Sequence, residues 1–180
     1  MRIISGLHKG RRINPPKNLP VRPTTDMAKE ALFNIINNRY YFDEISVLDL
    51  FSGTGCISFE FASRGSEKIT SVERNNNCIR FIDKTSQQFE FPIHVIKADV
   101  YKFLSITNGS WDIIFADPPY ELSVDEFSKI PELVFENNLL NEEGTLIIEH
   151  SKHTDLSHVK MFIESRHYGG SVFSFFRHLN

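Results

Sequence analysis

SVLDLFSGTG, residues 46–55, is a short β-rich run that ends in a glycine turn and leads into a helical pattern from Cys56 to Ser63. The glycines at positions 53 and 55 allow a sharp backbone turn and a close approach to a ligand. A dinucleotide fingerprint would place another glycine or an alanine three residues after Gly55, where Ser58 stands. The segment therefore predicts a ligand site at the end of a parallel strand and disfavours a nicotinamide cofactor.

On both sides of this segment, short β-rich runs alternate with helical patterns. The β-rich runs cover residues 46–51, 68–72, 93–97, 111–116 and 145–148, and the helical patterns cover 26–36, 56–63 and 77–89. Such alternation is typical of a parallel sheet with helices on both faces. Two last runs, 159–165 and 172–176, flank Tyr168-Gly169-Gly170 and predict a β-hairpin that finishes the sheet. The predicted fold class is α/β, with a doubly wound sheet.

Length and composition fit one globular domain. The chain has 180 residues, of which 41% are hydrophobic and 24% are charged, so it can bury a substantial core. The first residues lack a signal-peptide core, and no apolar run approaches the roughly 18 residues that span a bilayer, so we expect a cytoplasmic protein without a membrane partner. Cys56 and Cys78 lack zinc-like spacing, which predicts buried reduced thiols and no metal site.

The charge distribution sets the first 23 residues apart from the rest. The whole chain has 20 basic and 23 acidic side chains, but residues 1–23 carry six basic side chains and no acidic one. Five of these six are candidate nucleic-acid contacts: Arg2, Lys9, Arg11, Arg12 and Arg22. Apolar runs at 2–5 and 11–13 predict a small β-hairpin, so we divide the chain into a basic arm, 1–23, and a main domain, 24–180. The arm fits a phosphate-binding element, with a hairpin that covers an edge of the core as the alternative.

Two acidic residues follow predicted strands near the glycine turn. Glu73 comes directly after the run 68–72, where a carboxylate is placed to accept hydrogen bonds from the hydroxyl groups of a ribose. Asp99 closes the next strand and could accept a hydrogen bond from an adenine amino group. It could equally cap a helix that begins at Val100, and the two roles can coexist.

The segment Phe115-Ala116-Asp117-Pro118-Pro119-Tyr120, at the end of the fourth β-rich run, carries the most specific chemistry. An exocyclic amine on a nucleobase is a poor nucleophile, because its lone pair is delocalised into the ring. Hydrogen bonds from that amine to the Asp117 carboxylate and the Pro118 carbonyl would favour a pyramidal nitrogen. The prolines hold the carbonyl rigidly, and Tyr120 can stack on the base.

Together these motifs resemble class I methyltransferases that use S-adenosylmethionine (SAM) and methylate amino groups. Four further segments resemble the RsmD family, the 16S rRNA (guanine-N2)-methyltransferases: Arg2–Gly6, Gly10–Arg12, Leu19–Asp26 and Glu30–Asn34. The resemblance covers essentially the whole chain. Arg-Pro-Thr-Thr-Asp, at 22–26, and Asp-Pro-Pro-Tyr are its specific parts, whereas the glycine turn is common to many methyltransferases.

The resemblance implies a Rossmann-like sheet of seven strands, mostly parallel with the last antiparallel, and SAM as the cofactor. The implied cofactor-binding residues are Thr24, Thr25, Asp49, Phe51, Gly53, Gly55, Glu73, Arg74, Asp99 and Val100. Asp117, Pro118, Pro119 and Tyr120 would be the catalytic residues that face the target base. The implied partner is 16S rRNA within the small ribosomal subunit or an assembly intermediate, and we expect a monomer.

Two other functions remain open. An adenine-N6 methyltransferase on DNA or RNA would use the same motif, since Asp-Pro-Pro-Tyr identifies an amine and not a base. DNA enzymes of that kind usually carry an added recognition region, for which 180 residues leave only the arm. A non-catalytic ribosome assembly factor is the other alternative, and the intact glycine, ribose and amine positions argue against it.

Overall fold

A single seven-stranded sheet forms the centre of the molecule in the computed structural model, which describes residues 1–17, 19 and 24–178. The elements are α1 (Asp26–Asn37), β1 (Ser46–Leu50), α2 (Cys56–Ser63), β2 (Lys68–Glu73), α3 (Asn76–Phe89), β3 (Ile93–Lys97), α4 (Val100–Ile106), β4 (Trp111–Ala116), α5 (Val124–Glu136), β5 (Leu140–Ser151), β6 (Phe162–Tyr168) and β7 (Ser171–Phe176). The predicted α/β class is confirmed.

The strand order is β3-β2-β1-β4-β5-β7-β6. Strands β1 to β5 pair in parallel, and β7 runs antiparallel to both β5 and β6. The predicted antiparallel last strand and the predicted terminal hairpin are therefore confirmed. Along the chain the order reverses between β1 and β4, and such a switch point opens a crevice at the carboxyl ends of the strands.

Helices cover both faces of the sheet because the strand side chains alternate between two apolar clusters. Val47 faces a cluster that includes residues of α1 and α2. Leu48 and Leu50 face the opposite cluster, which includes residues of α4 and α5. The central strand is thus buried on both sides, as the apolar run in the sequence predicts.

Strands β5 and β6 differ from their predicted bounds by three residues or more at each end, and one helix was not predicted. Strand β6 begins at Phe162 and not at Val159, because Met161 adopts a left-handed φ of 67° and the Phe162 N–H donates to the Val159 carbonyl. Strand β5 extends over 140–151, with a register irregularity opposite the segment between Trp111 and Ile113 that accommodates its polar start. Helix α5 is absent from the predicted elements, although Ser123 and Glu126 form a capping box at its beginning.

The first residues of the arm fold back as the predicted hairpin. Arg2 and Arg12 form an antiparallel bridge, and the Ile3 N–H donates to the Arg11 carbonyl at 3.0 Å. Ile3 and Ile13 are buried in a third apolar cluster with side chains of α2 and α3. The hairpin therefore covers an apolar surface of the main domain, whatever its basic side chains contact.

A buried carboxylate fixes the hairpin to α2. Glu60 is 0% exposed and accepts hydrogen bonds from the backbone N–H groups of Ile4 and Ser5 at 2.9 and 3.0 Å. Its charge is compensated by Arg64 at 2.9 Å and by the buried Lys29 at 3.7 Å. Removing one member of such a buried group would leave an uncompensated charge, so the hairpin and α2 stabilise each other.

The two cysteines and the helix lengths also bear on the sequence expectations. Cys56 and Cys78 are buried free thiols, as predicted, and burial raises the pKa of Cys56 to about 12. Within the described ranges, no helix has the length and apolar character needed to cross a bilayer.

Candidate active site

The candidate site lies at the carboxyl ends of β1, β2, β4 and β5, on both sides of the switch point. Leu50 of β1 is in register with Val72 of β2 and with Ala116 of β4, and Ala116 is in register with Ile148 of β5. The residues that follow these positions are Phe51, Glu73, Asp117 and Glu149. Parallel pairing therefore brings three carboxylates and the start of the glycine turn to one edge of the sheet.

The turn after β1 has an unusual backbone. Phe51, Gly53 and Gly55 adopt positive φ angles of 56°, 52° and 75°. A left-handed Phe51 is costly for a residue with a side chain, and such strain concentrates at ligand sites. A Cβ on Gly55 would lie 2.9 Å from Ile82 Cγ1, so packing against α3 also requires glycine there.

Glu73 holds this turn in place. Its carboxylate accepts three backbone N–H groups, from Gly53 at 2.9 Å, Arg74 at 2.8 Å and Asn75 at 2.7 Å. A carboxylate offers about four acceptor positions, so about one remains for a ribose hydroxyl. Glu73 is buried while the Arg74 side chain is exposed, so Arg74 enters the arrangement through its backbone.

Asp49 lies beneath the turn and is 2% exposed. Ser58 Oγ donates to Asp49 Oδ2 at 2.5 Å and contacts Ser71 Oγ at 2.6 Å. Burial raises the pKa of Asp49 to about 7, against the lowering effect of the Ser58 hydrogen bonds. The serine that departs from the dinucleotide fingerprint thus has a role of its own, as a hydrogen-bond partner of this carboxylate.

Asp99, Val100 and Thr25 have visible structural roles. Asp99 caps α4 by accepting from the Lys102 N–H at 3.1 Å, so the capping interpretation of Asp99 is confirmed. Val100 is buried in the core behind it. Thr25 caps α1 through the Ala28 N–H at 3.2 Å. A half-buried capping carboxylate keeps acceptor capacity, so an adenine contact by Asp99 stays a prediction.

Asp117 is half-buried at the end of β4, and its N–H lies 3.4 Å from the Leu50 carbonyl of β1. Burial raises the pKa of Asp117 well above its usual range, and the carboxylates of Glu149 and Asp49 raise it further. Pro118 is buried and Pro119 is exposed. The segment is therefore anchored on one side and open on the other, where a base could enter.

Glu149 on β5 is a site residue that the sequence analysis missed. It is 2% exposed, and it accepts hydrogen bonds from Thr24 Oγ1 at 3.0 Å and from the Tyr120 hydroxyl at 3.3 Å. Glu149 thereby joins the segment before α1 to the Asp-Pro-Pro-Tyr segment. Its signal in the sequence is a carboxylate after the apolar run 146–148, but only the strand order places it beside Asp117.

The predicted RNA-binding residues do not all have the same surroundings. Lys9, Arg11 and Arg12 are exposed on the hairpin. Arg2 is also exposed and pairs with Asp26 at 3.2 Å, so part of its charge is neutralised. Arg22 lies outside the described residues.

Taken together, the site has an acidic lining formed by Asp49, Glu73, Asp117 and Glu149. Such a lining suits a ligand with positive groups, and a sulfonium with an ammonium group is of this kind. Across residues 1–17, 19 and 24–178, the carboxylate, imidazole and thiol groups form no cluster of three or more that could hold a metal ion.

Solved structures show which class of protein has this fold. The putative methyltransferase yhhF from Escherichia coli has a TM-score of 0.83 and 25% identity, covering 98% of this chain and 96% of that one. SMU.776, a putative methyltransferase complexed with SAH, shares the fold, with a TM-score of 0.67 and 19% identity over 82% of this chain and 49% of that one. The fold is that of SAM-dependent methyltransferases, which agrees with the predicted cofactor.

The chain belongs to the family described as Conserved hypothetical protein 95, whose profile matches residues 1–177. The putative rRNA methyltransferase YlbH of Bacillus subtilis is 34% identical over 161 residues, which cover 87% of this chain and 85% of that protein. The Ribosomal RNA small subunit methyltransferase D of Buchnera aphidicola is 34% identical over 150 residues, which cover 83% and 75%. The resemblance to the RsmD family is therefore confirmed.

Proposed function

We propose that this protein transfers a methyl group from SAM to the exocyclic N2 amine of a guanine in 16S rRNA of the small ribosomal subunit. The observation that carries the proposal is Asp117, followed by the Pro118 carbonyl, at the end of β4 beside the glycine turn of β1. The names of the relatives, an rRNA methyltransferase and a small subunit methyltransferase, support the RNA substrate.

The acidic lining and the glycine turn fit SAM. When bound, SAM supplies a methyl group on a positively charged sulfur that a nucleophile can displace. Gly53 and Gly55 bring backbone close to the methionine part, and Glu73 has acceptor capacity left for the ribose. Asp49, beneath the turn, carries a negative charge when the pH is above its pKa of about 7.

On the substrate side, the chain orients the amine. The Asp117 carboxylate and the Pro118 carbonyl accept hydrogen bonds from the two amine hydrogens, which favours a pyramidal nitrogen with its lone pair toward the methyl group. The raised pKa of Asp117 also suits this carboxylate to receive the proton that the methylated amine gives up. Tyr120, 38% exposed, offers its ring to the base and is held through its hydroxyl by Glu149.

An RNA substrate also gives the basic arm a role. Exposed basic side chains of the hairpin, Lys9, Arg11 and Arg12, contact RNA phosphates, with Arg2 and Arg22 as further contacts. We place the enzyme in the cytoplasm, where small subunits and their assembly intermediates are found, and propose that it acts as a monomer. An adenine amine fits the same hydrogen-bond pattern, so base identity is an outcome to be measured.

Asp117→Ala tests the observation that carries this function. With tritiated SAM and small subunits that lack the modification, we expect methyl transfer to fall about 30-fold to 1000-fold, because a hydrogen bond strengthened in the transition state is lost. SAM affinity, measured by calorimetry, should stay within about twofold. Wild-type transfer by this variant would remove Asp117 from catalysis.

A further inference from the structure

Outside the active site, a groove of about 610 Å³ lies between the N-terminal arm and α3. The arm contributes Arg12 and Ile13 to its lining, and α3 contributes Arg80, Phe81 and Lys84. Among the described residues that line the groove, three are basic and none is acidic. In a chain with a net charge of -3, this is a local reversal of sign.

The groove combines two kinds of surface. Arg12, Arg80 and Lys84 are exposed cations, whereas Phe81 and Phe89 are partly exposed side chains of the third apolar cluster. Cations beside partly exposed aromatic rings are a combination that binds single-stranded nucleic acid, through its phosphates and the faces of its bases. A basic helix face that only contacts solvent has no use for aromatic rings between its cations.

The polar and basic side chains of the groove are spread along the length of α3. Asn77, Lys84 and Gln88 lie along one stripe of the helix, with Arg80 beside it, because seven and eleven residues correspond to nearly whole numbers of turns. At 1.5 Å per residue, the stripe is roughly 16 Å long. An extended strand can therefore lie along it and meet more than one cation.

One end of the groove lies near the active-site edge. Helix α3 begins three residues after Glu73, and β2 is separated from β4 by β1 alone. With strands about 4.8 Å apart, the start of the groove lies on the order of 10 Å from the end of β4 along the sheet. An RNA strand whose target base lies at Asp117 can reach the groove within a few nucleotides.

We propose that this groove binds single-stranded RNA that flanks the methylated nucleotide, with Arg12, Arg80 and Lys84 on its phosphates and Phe81 against a base. This inference rests on the proposed function and adds a second contact surface to it. The hairpin thereby has two sides, since Ile13 packs against the core while Arg12 faces the RNA.

The test is the double variant Arg80→Ala/Lys84→Ala, which keeps good helix formers in α3. Its binding to a labelled single-stranded RNA 12-mer and to 16S rRNA is measured from 0.05 to 0.5 M salt. The slope of log affinity against log salt should flatten by about 1.4, since each lost phosphate contact contributes about 0.7. Affinity near 0.15 M salt should fall on the order of tenfold.

Lys129→Ala is the matched control, because Lys129 is an exposed cation on α5, across the sheet from α3. SAM affinity of all variants, measured by calorimetry, reports an intact main domain. A double variant with the slope and affinity of the control would overturn the groove proposal. So would unchanged RNA binding with a selective loss of polyglutamate binding, which would indicate an acidic protein partner.

Methyl transfer by the wild-type enzyme to small subunits separates this proposal from the proposed function. Transfer without any effect of the double variant refutes the groove alone. Salt-dependent loss of RNA binding in the double variant, together with no transfer by the wild type, refutes the proposed function alone.

Discussion

At the scale of single residues, the site depends on two neighbouring carboxylates with different tasks. Asp117 is half-buried and open toward the substrate side, whereas Glu149 is buried and engaged by Thr24 and Tyr120. Burial raises the pKa of Asp117, and the negative charge of Glu149 raises it further. Glu149 therefore holds the Tyr120 hydroxyl, and under the proposed function it also contributes to the pH at which Asp117 becomes an acceptor.

Glu149→Gln should separate these two effects from cofactor binding. Because the raising influence of Glu149 is removed, the pKa of Asp117 should fall, and the acidic limb of the kcat/KM profile should move to lower pH. We expect KM for small subunits to rise several-fold while SAM affinity is unchanged. An acidic limb at the wild-type position would contradict the coupling. Glu143→Gln, an exposed change on the same strand, is the control.

Glu73→Ala should weaken SAM binding about 10-fold to 100-fold, because hydrogen bonds to a charged group contribute roughly 1.5 to 3 kcal/mol. Part of the loss would come from the turn itself, since Gly53, Arg74 and Asn75 lose their acceptor. Calorimetry measures the affinity, and Glu67→Ala, exposed at the opposite end of β2, is the control. Equal affinities of the two variants would exclude Glu73 from the cofactor site.

At the scale of elements, the hairpin is part of the folded core and not a loose extension. The Leu7 N–H donates to the Ser63 carbonyl at 2.7 Å, next to the Glu60 cluster. Gly6 crosses α2 so closely that a Cβ would lie about 1.8 Å from Ser63 O. Close backbone packing of this kind has no local signal in the sequence beyond the glycine itself.

Gly6→Ala and Gly10→Ala form a matched pair, because both glycines have a φ of 82° and a Cβ on Gly10 would meet nothing within 4 Å. Gly10→Ala should cost only the left-handed strain, about 1 to 2 kcal/mol. Gly6→Ala should also displace the hairpin and expose the Glu60 cluster, at roughly 3 kcal/mol or more in addition. Thermal unfolding should then differ by roughly 6 to 12 °C between the variants. Equal melting temperatures would contradict the docking.

Local pattern predicted most elements and left their long-range relations open. Strands β1, β3 and β4 and helix α2 follow from short apolar runs and the glycine turn, which are properties of adjacent residues. Asp117 and Glu73 follow the same logic, since each stands at the end of such a run. Glu149 does not, because its importance arises when β5 pairs with β4 and when Thr24 crosses from the segment before α1.

At the scale of the whole molecule, acidic and basic side chains gather on separate surfaces. Carboxylates gather at the carboxyl edge of the sheet, and Arg12 of the hairpin lines the nearby groove together with Arg80 and Lys84 of α3. A cationic cofactor and an anionic polymer can therefore bind side by side with opposite electrostatic preferences. The net charge of -3 gives no indication of this separation, which the sequence reveals only for residues 1–23.

The central claim is that an amine on guanine, held by Asp117, accepts the methyl group. The direct measurement is incubation of the enzyme with labelled SAM and small subunits that lack the modification, followed by digestion and chromatography of the nucleosides. The account predicts label in N2-methylguanosine alone, and label that accumulates about 30-fold to 1000-fold more slowly when Asp117→Ala replaces the wild type. Label in N6-methyladenosine, or no label with the wild-type enzyme, would contradict it.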